Sequence, residues 1–350
     1  MRRVRGRWAA ATVALALVAC GGGAPAPRAT PAPTATAAPT TPPPATAAPT
    51  PTQAGRVRPI TIVFGGDVDF DRAVRRAIEE GGVDAPWAGI APTLRAADLA
   101  FLNLECSIST RGTPEQKTYT FRGDPSALAG AVHAGVDVFS LANNHTLDYG
   151  LDGFHDTLRH VREAGIKTTG AGRNLAEARE PAVFTVGGRR VAFLGISAII
   201  PAPKWKATET RPGIAYADDA QITAQVRAAR RVADIVIPFF HWGIEYQHLP
   251  SAEQKRAARA AIRAGATMVI GGHTHVLQPV ETYEGRLVAW SMSNLVFQSR
   301  PASVHTQLLK VTINPDDSVS WETEPYLISG GVPRPERGRE VRRGTVPAPA

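Results

Sequence analysis

Five apolar runs in this chain stop abruptly at side chains that carry a charge, an imidazole or an amide. Residues 136–141 run into Asn143, Asn144, His145 and Asp148; residues 60–66 run into Asp67 and Asp69. Residues 99–104 end at Glu105, residues 235–240 at His241, and residues 268–272 at His273 and His275. Short apolar runs bounded by turn residues read as strands buried on both faces. A buried strand gains nothing from a polar ending unless those groups meet a ligand. In open α/β sheets, ligands bind outside the carboxyl ends of the strands, so the five endings predict a single site.

Segments of helical spacing lie between the runs, near residues 71–80, 91–97, 125–134, 151–164, 219–232 and 252–264. Gly187-Gly188, between residues 183–186 and 190–196, is a hairpin turn signal. Further hairpins are expected over 278–291, around Glu284-Gly285, and over 305–326, around 314–318. Strand–helix alternation followed by hairpins predicts an α/β domain of two mixed sheets packed together, with helices outside. Residues 107–122, polar and carrying Gly112, Pro114 and Lys117, are expected to form a loop over the site.

The ends of the chain are built differently. Arg2, Arg3, Arg5 and Arg7 precede an apolar stretch, residues 8–19, of signal-peptide length and too short to span a membrane. Leu17-Val18-Ala19-Cys20 resembles a bacterial lipobox. Residues 1–20 are therefore expected to be a lipoprotein signal, with Cys20 acylated and the protein held outside the cytoplasm on a bacterial membrane. Each buried acyl methylene contributes about 0.8 kcal/mol to such an anchor. Residues 21–56 are dominated by Pro, Ala and Thr and are expected to be a disordered linker, having too little apolar surface to bury. Residues 57–329 are the expected folded domain. Residues 330–350, rich in Pro and Arg and without a period, are expected to be a disordered tail. The whole chain carries a formal charge of +8, but its excess lies in the two ends, leaving −2 over residues 59–329. That balance argues against nucleic acid as a partner, which needs a basic face on the domain itself. Apart from Cys20 the sequence has one cysteine, Cys106, expected to be a small buried filler.

Seven side chains at the strand ends are candidate metal ligands: Asp67, Asp69, Glu105, Asn144, His241, His273 and His275. Oxygen and imidazole donors in that number suit two divalent cations (Mn, Fe, Zn or Mg) that share a carboxylate and keep positions open for water and substrate. Glu105 is the expected bridge. His273 and His275 are two residues apart on one strand end, where alternate residues project to the same side. His145, beside Asn144 but pointing elsewhere, is the expected acid that protonates a leaving group. Asp148 has two open readings: it orients His145, or it caps the helix beginning at Leu151. His133, His155, His160, His248 and His305 are given no functional role.

Gly66-Asp67, Asn103-Leu104-Glu105, Asn143-Asn144-His145-Thr146-Leu147-Asp148-Tyr149-Gly150, His241-Trp242-Gly243-Ile244-Glu245-Tyr246 and Gly272-His273-Thr274-His275-Val276-Leu277-Gln278-Pro279 resemble, in order, the motifs of the CapA family. Members of that family are associated with synthesis or export of poly-γ-glutamate capsule, and are similar to calcineurin-like metallophosphoesterases. The resemblance, over residues 59–329, implies a four-layer αββα sandwich and a metal-dependent hydrolase of metallophosphoesterase type. It implies metal roles for Asp67, Glu105, Asn144, His241, His273 and His275, and a catalytic role for His145. The implied substrate is an anionic polymer or a phosphoester of the envelope, handled near membrane-bound capsule synthesis machinery. The alternative is a lipoprotein that binds or guides a polyglutamate chain without cleaving it. The chain departs from the pattern at Asp69, where phosphoesterases place a ligand His, at Cys106, where Gly is frequent, and at Thr274, where Pro is frequent. Trp290-Ser291-Met292-Ser293-Asn294-Leu295 also replaces a Tyr-Ser-Leu-Gly-Asn-Phe pattern, putting Ser293 in the Gly position.

Overall fold

In the computed structural model the described residues are 57–349 apart from Ala217; Cys20 and the linker 21–56 lie outside them. The strands sort their side chains by alternation. Along Ile60–Val68, Val63 packs with helix residues such as Val74 and Leu94, whereas Ile62 and Phe64 pack with residues of another sheet. Leu102 and Phe101 divide in the same way on Leu99–Leu104. On Arg189–Ser197, Phe193 faces the other sheet and Leu194 faces helices. Because both faces are covered, these strands read as continuous apolar runs rather than as alternating ones.

The result is a four-layer αββα sandwich. One sheet has nine strands, with the path Val332–Pro335, Val319–Ser329, His305–Ile313, Ile60–Val68, Leu99–Leu104, Val138–Ser140, Lys167–Thr169; Asn294–Val296 and Arg343–Val346 join it off this path. The other has six, in the order Val280–Tyr283, Arg286–Ala289, Met268–Gly272, Ile235–His241, Arg189–Ser197, Ala182–Val186. Helices Arg72–Gly81, Leu128–Ala134 and Gly150–Glu163 cover the first sheet through Val74, Ala131 and Phe154. Asp219–Arg230 and Ala252–Arg263 cover the second through Val226, Ala258 and Ala261. Between the sheets, Phe101 stacks on Phe193 with ring centroids 5.2 Å apart. The central pairs of both sheets are parallel, so their carboxyl ends gather the polar endings noted above. At the Gly187-Gly188 hairpin both residues take positive φ, +59° and +77°, as a two-residue turn of the primed kind requires.

One expectation about a terminal segment needs revision. Residues 330–350 are not a disordered tail, because Val332–Pro335 and Arg343–Val346 both pair antiparallel with Val319–Ser329. Val346 enters the core between the sheets. Backbone pairing with an available strand orders a segment that has no apolar run of its own, and Pro333 and Pro335 are tolerated on the outermost strand. The segment 107–122 is a strap clamped at its base, where Ser107–Ile108 pairs with Arg122–Gly123.

Candidate metal centre

Strand register brings the ligand side chains together. Asp67 lies opposite Asn103 on one side and Asn294 on the other, and His241 lies opposite Gly272. Two glycines permit the close approach. A Cβ on Gly66 would sit 1.9 Å from the Ser293 carbonyl oxygen, and one on Gly272 would sit 2.9 Å from Oδ1 of Asp67.

Glu105, His241 and His273 present donor atoms that all lie within 4.8 Å of one another, and so do Asp67, Glu105 and His275. Glu105 belongs to both groups. In the first, His241 Nε2 is 3.1 Å from His273 Nδ1, 3.4 Å from Glu105 Oε1 and 2.8 Å from Asn144 Oδ1. In the second, His275 Nδ1 is 3.8 Å from Asp67 Oδ2 and 2.8 Å from Asn294 Oδ1. Asn103 donates to Asp67 Oδ1 at 2.8 Å, which fixes the carboxylate from behind.

Asp67, Glu105, His241 and His273 are sealed from solvent or nearly so, and burial disfavours charge. Burial pushes Glu105 up to about 8, and burial with the neighbouring Glu105 charge pushes Asp67 up to about 7. Burial likewise holds His241 down at about 4 and His273 well below its ordinary value. Both carboxylate oxygens of Glu105 are buried without a hydrogen-bond donor among the described residues. Glu105 oxygens without donors, beside the imidazoles of His241 and His273 kept neutral, are the complement of a divalent cation, and the mixed oxygen and nitrogen donors fit one in each group, with Glu105 shared.

His145 stands beside this cluster and belongs to a different network. Its Nδ1 lies 2.6 Å from Asp148 Oδ2. Phe121 N also donates to Asp148 Oδ2, at 2.7 Å, and Lys117 Nζ donates to Oδ1 at 2.7 Å. The helix Gly150–Glu163 has Tyr149 at its N-cap position, with no side-chain cap. Of the two readings of Asp148, orientation of His145 is therefore the one the geometry supports. Burial, opposed by Asp148 and reinforced by Lys117, keeps the His145 pKa at about 4. Lys117 also donates to the Asn144 carbonyl and lies over the Trp205 ring, 5.1 Å from its centroid, so the strap is tied to both sides of the dyad.

Asp69 is a correction. Alternation predicts it on the same face as Asp67, but the strand ends at Val68. Its Oδ1 accepts from Asp71 N at 2.7 Å, and its Oδ2 is buried without a partner among the described residues. It joins neither donor group. Cys106 is a buried member of the helix-side core. His133 and His305 sit in exposed pairs with Asp84 and Glu336.

Sequence reasoning missed the side chains that hold the ligands in place. Asn143 donates to Asn103 Oδ1 and Leu104 O, and its own Oδ1 accepts from His145 N at 3.0 Å, tying two strand ends together. Lys117, Asn103 and Asn294 complete the set. The available signals were an amide inside a buried strand, Asn103, and a basic residue in a strap with acidic neighbours. Ser293, in the Gly position of the family pattern, takes φ +63°. That value explains why glycine suits the site, and Ser293 Oγ is buried without a partner.

A four-layer αββα sandwich whose two sheets deliver oxygen and imidazole donors to one edge is a metallophosphoesterase-like fold. Residues 61–299 match the family described as bacterial capsule synthesis protein PGA_cap, and the chain belongs to that family. It is 29% identical over 287 residues to the PGA biosynthesis protein CapA of Bacillus subtilis (strain 168), covering 81% of this chain and 75% of that one. It is 28% identical over 285 residues to the capsule biosynthesis protein CapA of Bacillus anthracis, covering 79% and 69%. Among solved structures it is similar to the NAD nucleotidase of Haemophilus influenzae, with a TM-score of 0.46 and 14% identity over 77% of this chain. It spans 50% of that nucleotidase.

Proposed function

We propose that this chain is a surface-tethered, metal-dependent hydrolase that acts on an anionic polymer of the cell envelope during polyglutamate capsule synthesis. The observation that carries the reading is the pairing of two donor groups sharing Glu105 with the His145–Asp148 dyad on the adjoining strand end. A site that only holds a polymer needs donors for a cation but no oriented proton carrier. The names of the Bacillus relatives support the polymer as the substrate class.

Asp67, Glu105 and His275 would hold one cation, and Glu105, Asn144, His241 and His273 the other. When bound, the pair supplies activated water and neutralises charge on the reacting group. The remaining roles fall to the chain itself. Asn103, Asn143 and Asn294 keep the ligands from rotating. Asp148 keeps a proton on Nδ1 of His145, so Nε2 is the atom that passes a proton to the leaving group. The depressed pKa makes the imidazolium a strong acid once formed. Lys117 compensates the buried Asp148 charge and fastens the strap over the dyad.

The test is metal analysis of the purified full chain, with turnover of γ-linked polyglutamate and of p-nitrophenyl phosphate measured on the same sample. We expect divalent metal to be bound and at least one substrate to be cleaved. His273→Ala with His275→Ala should lower bound metal sharply while the circular dichroism spectrum is kept. Metal bound without turnover of either substrate, whichever of Mn, Fe, Zn or Mg is supplied, would refute the hydrolase and leave a polymer guide. Cys20→Ser should release the protein from the membrane fraction; unchanged partitioning would rule out the anchor.

A further inference from the structure

We propose that Arg72, Tyr119 and Arg300 form a rim beside the donor groups that binds a second anionic group of the substrate, a carboxylate or a phosphate. The inference rests on the reading above that the site handles an anionic substrate.

Three observations carry it. The first is a pair of like charges that share one aromatic ring. The Arg72 guanidinium lies 5.5 Å from the centroid of the Tyr119 ring, and the Arg300 guanidinium lies 5.4 Å from the same centroid while donating to the Tyr119 hydroxyl. These arginines come from distant parts of the chain, and both are exposed. Among the described residues neither forms an ion pair; the exposed Glu245 and the buried Asp69 act on them only through the field. Two guanidinium groups beside one ring, with no carboxylate paired to either, leave a positive field at this rim, and their planar forks match carboxylate and phosphate oxygens.

The second is the distribution of backbone strain. Among the described residues, seven that are not glycine have positive φ. Glu284 and Asp317 lie in hairpin turns, while His273, His275 and Ser293 line the donor groups. The other two are Arg72, at φ +51°, and Tyr246, at φ +63°, whose ring lies 6.1 Å from that of His275. Strain of this kind persists where the surroundings over-determine it, and it gathers at ligand clamps.

The third is the floor between rim and cluster. Phe121 packs on His145 at 4.4 Å and lies 5.4 Å from Phe297, which is 5.5 Å from His275. The Arg72 guanidinium lies 5.2 Å from the Phe121 ring. An apolar floor with cations at one end and metal ligands at the other accepts an anion joined to the reacting group by a short carbon chain.

The test uses the full chain loaded with Mn and calorimetric binding of a γ-linked glutamate oligomer in one arm and linear triphosphate in the other. Arg72→Gln and Arg300→Gln should each weaken the preferred anion by about tenfold and flatten its salt dependence, with bound metal unchanged. Arg300→Lys should recover part of the loss. The arm that shows these losses identifies the source of the anion. Wild-type affinity in both glutamine variants, or no measurable binding of either anion by the wild type, would overturn the rim. Binding through both arginines without cleavage would support the rim and refute the hydrolase; cleavage indifferent to both substitutions would refute the rim alone.

Discussion

Glu105 should give the metal-free protein a stability that declines with pH, in a way that a cation removes. Its folded pKa of about 8 lies above the ordinary value of 4.5. The folded chain therefore keeps a proton that the unfolded chain has released, and stability falls as pH rises between those values. The buried imidazoles act oppositely. His145 and His241, held at about 4 against an ordinary 6.5, add stability as pH rises to 6.5 and contribute no further change above it. Between pH 6.5 and 8 the carboxyl groups act unopposed. At about 1.4 kcal/mol per pH unit for one proton, Glu105 alone should cost about 2 kcal/mol over that interval. For a domain of this size that is a fall in Tm of roughly 3 °C. The assay is thermal melting in a chelating agent at a series of pH values, repeated with saturating Mn. Glu105→Gln should reduce the chelated slope by the equivalent of one proton and abolish the increase in Tm on adding Mn. In the wild type that increase should grow with pH, since the ligands must be deprotonated to bind. A chelated Tm that is flat or rising from pH 6.5 to 8, or a slope unchanged in Glu105→Gln, would show the reasoning to be wrong.

Three other perturbations separate roles within the structure. His145→Ala should keep its metal but lose about 10²–10⁴-fold in rate, with a smaller loss for nitrophenyl leaving groups, which depart without a proton; equal losses for good and poor leaving groups would remove the acid role. Ser293→Gly relieves a φ of +63° and deletes a buried hydroxyl without a partner, so it should raise stability by about 1 kcal/mol; a lower Tm would contradict that account. Ending the chain at residue 329 removes two of the three strands paired with Val319–Ser329 and uncovers the core position of Val346. It should cost about 2 kcal/mol for that valine alone, and an unchanged Tm would mean that the terminal strands do not support the domain.

The alternation of strand and helix was legible because both sheets are covered on both faces, which leaves nearly uninterrupted apolar runs in the sequence. The polar endings stood out for the same reason: an amide, carboxylate or imidazole directly after such a run is costly to bury without a partner. Asp67, Glu105, Asn144, His241, His273 and His275 could thus be singled out from the chain alone. Asp69 could not be placed, since the strand ends at Val68 and alternation does not carry past its last residue. The strands after residue 330 were hidden because their order comes from the hydrogen-bonding edge of Val319–Ser329, not from any apolar pattern of their own. Lys117 and Arg72 lie well apart in the sequence from the groups they meet, so only the tertiary structure could pair Lys117 with Asp148 or set Arg72 and Arg300 on one tyrosine. The sequence by itself determined which side chains arrive at the strand ends; the folded sheets decided which of them face one another, because distance between strands is set by register and packing rather than by position along the chain.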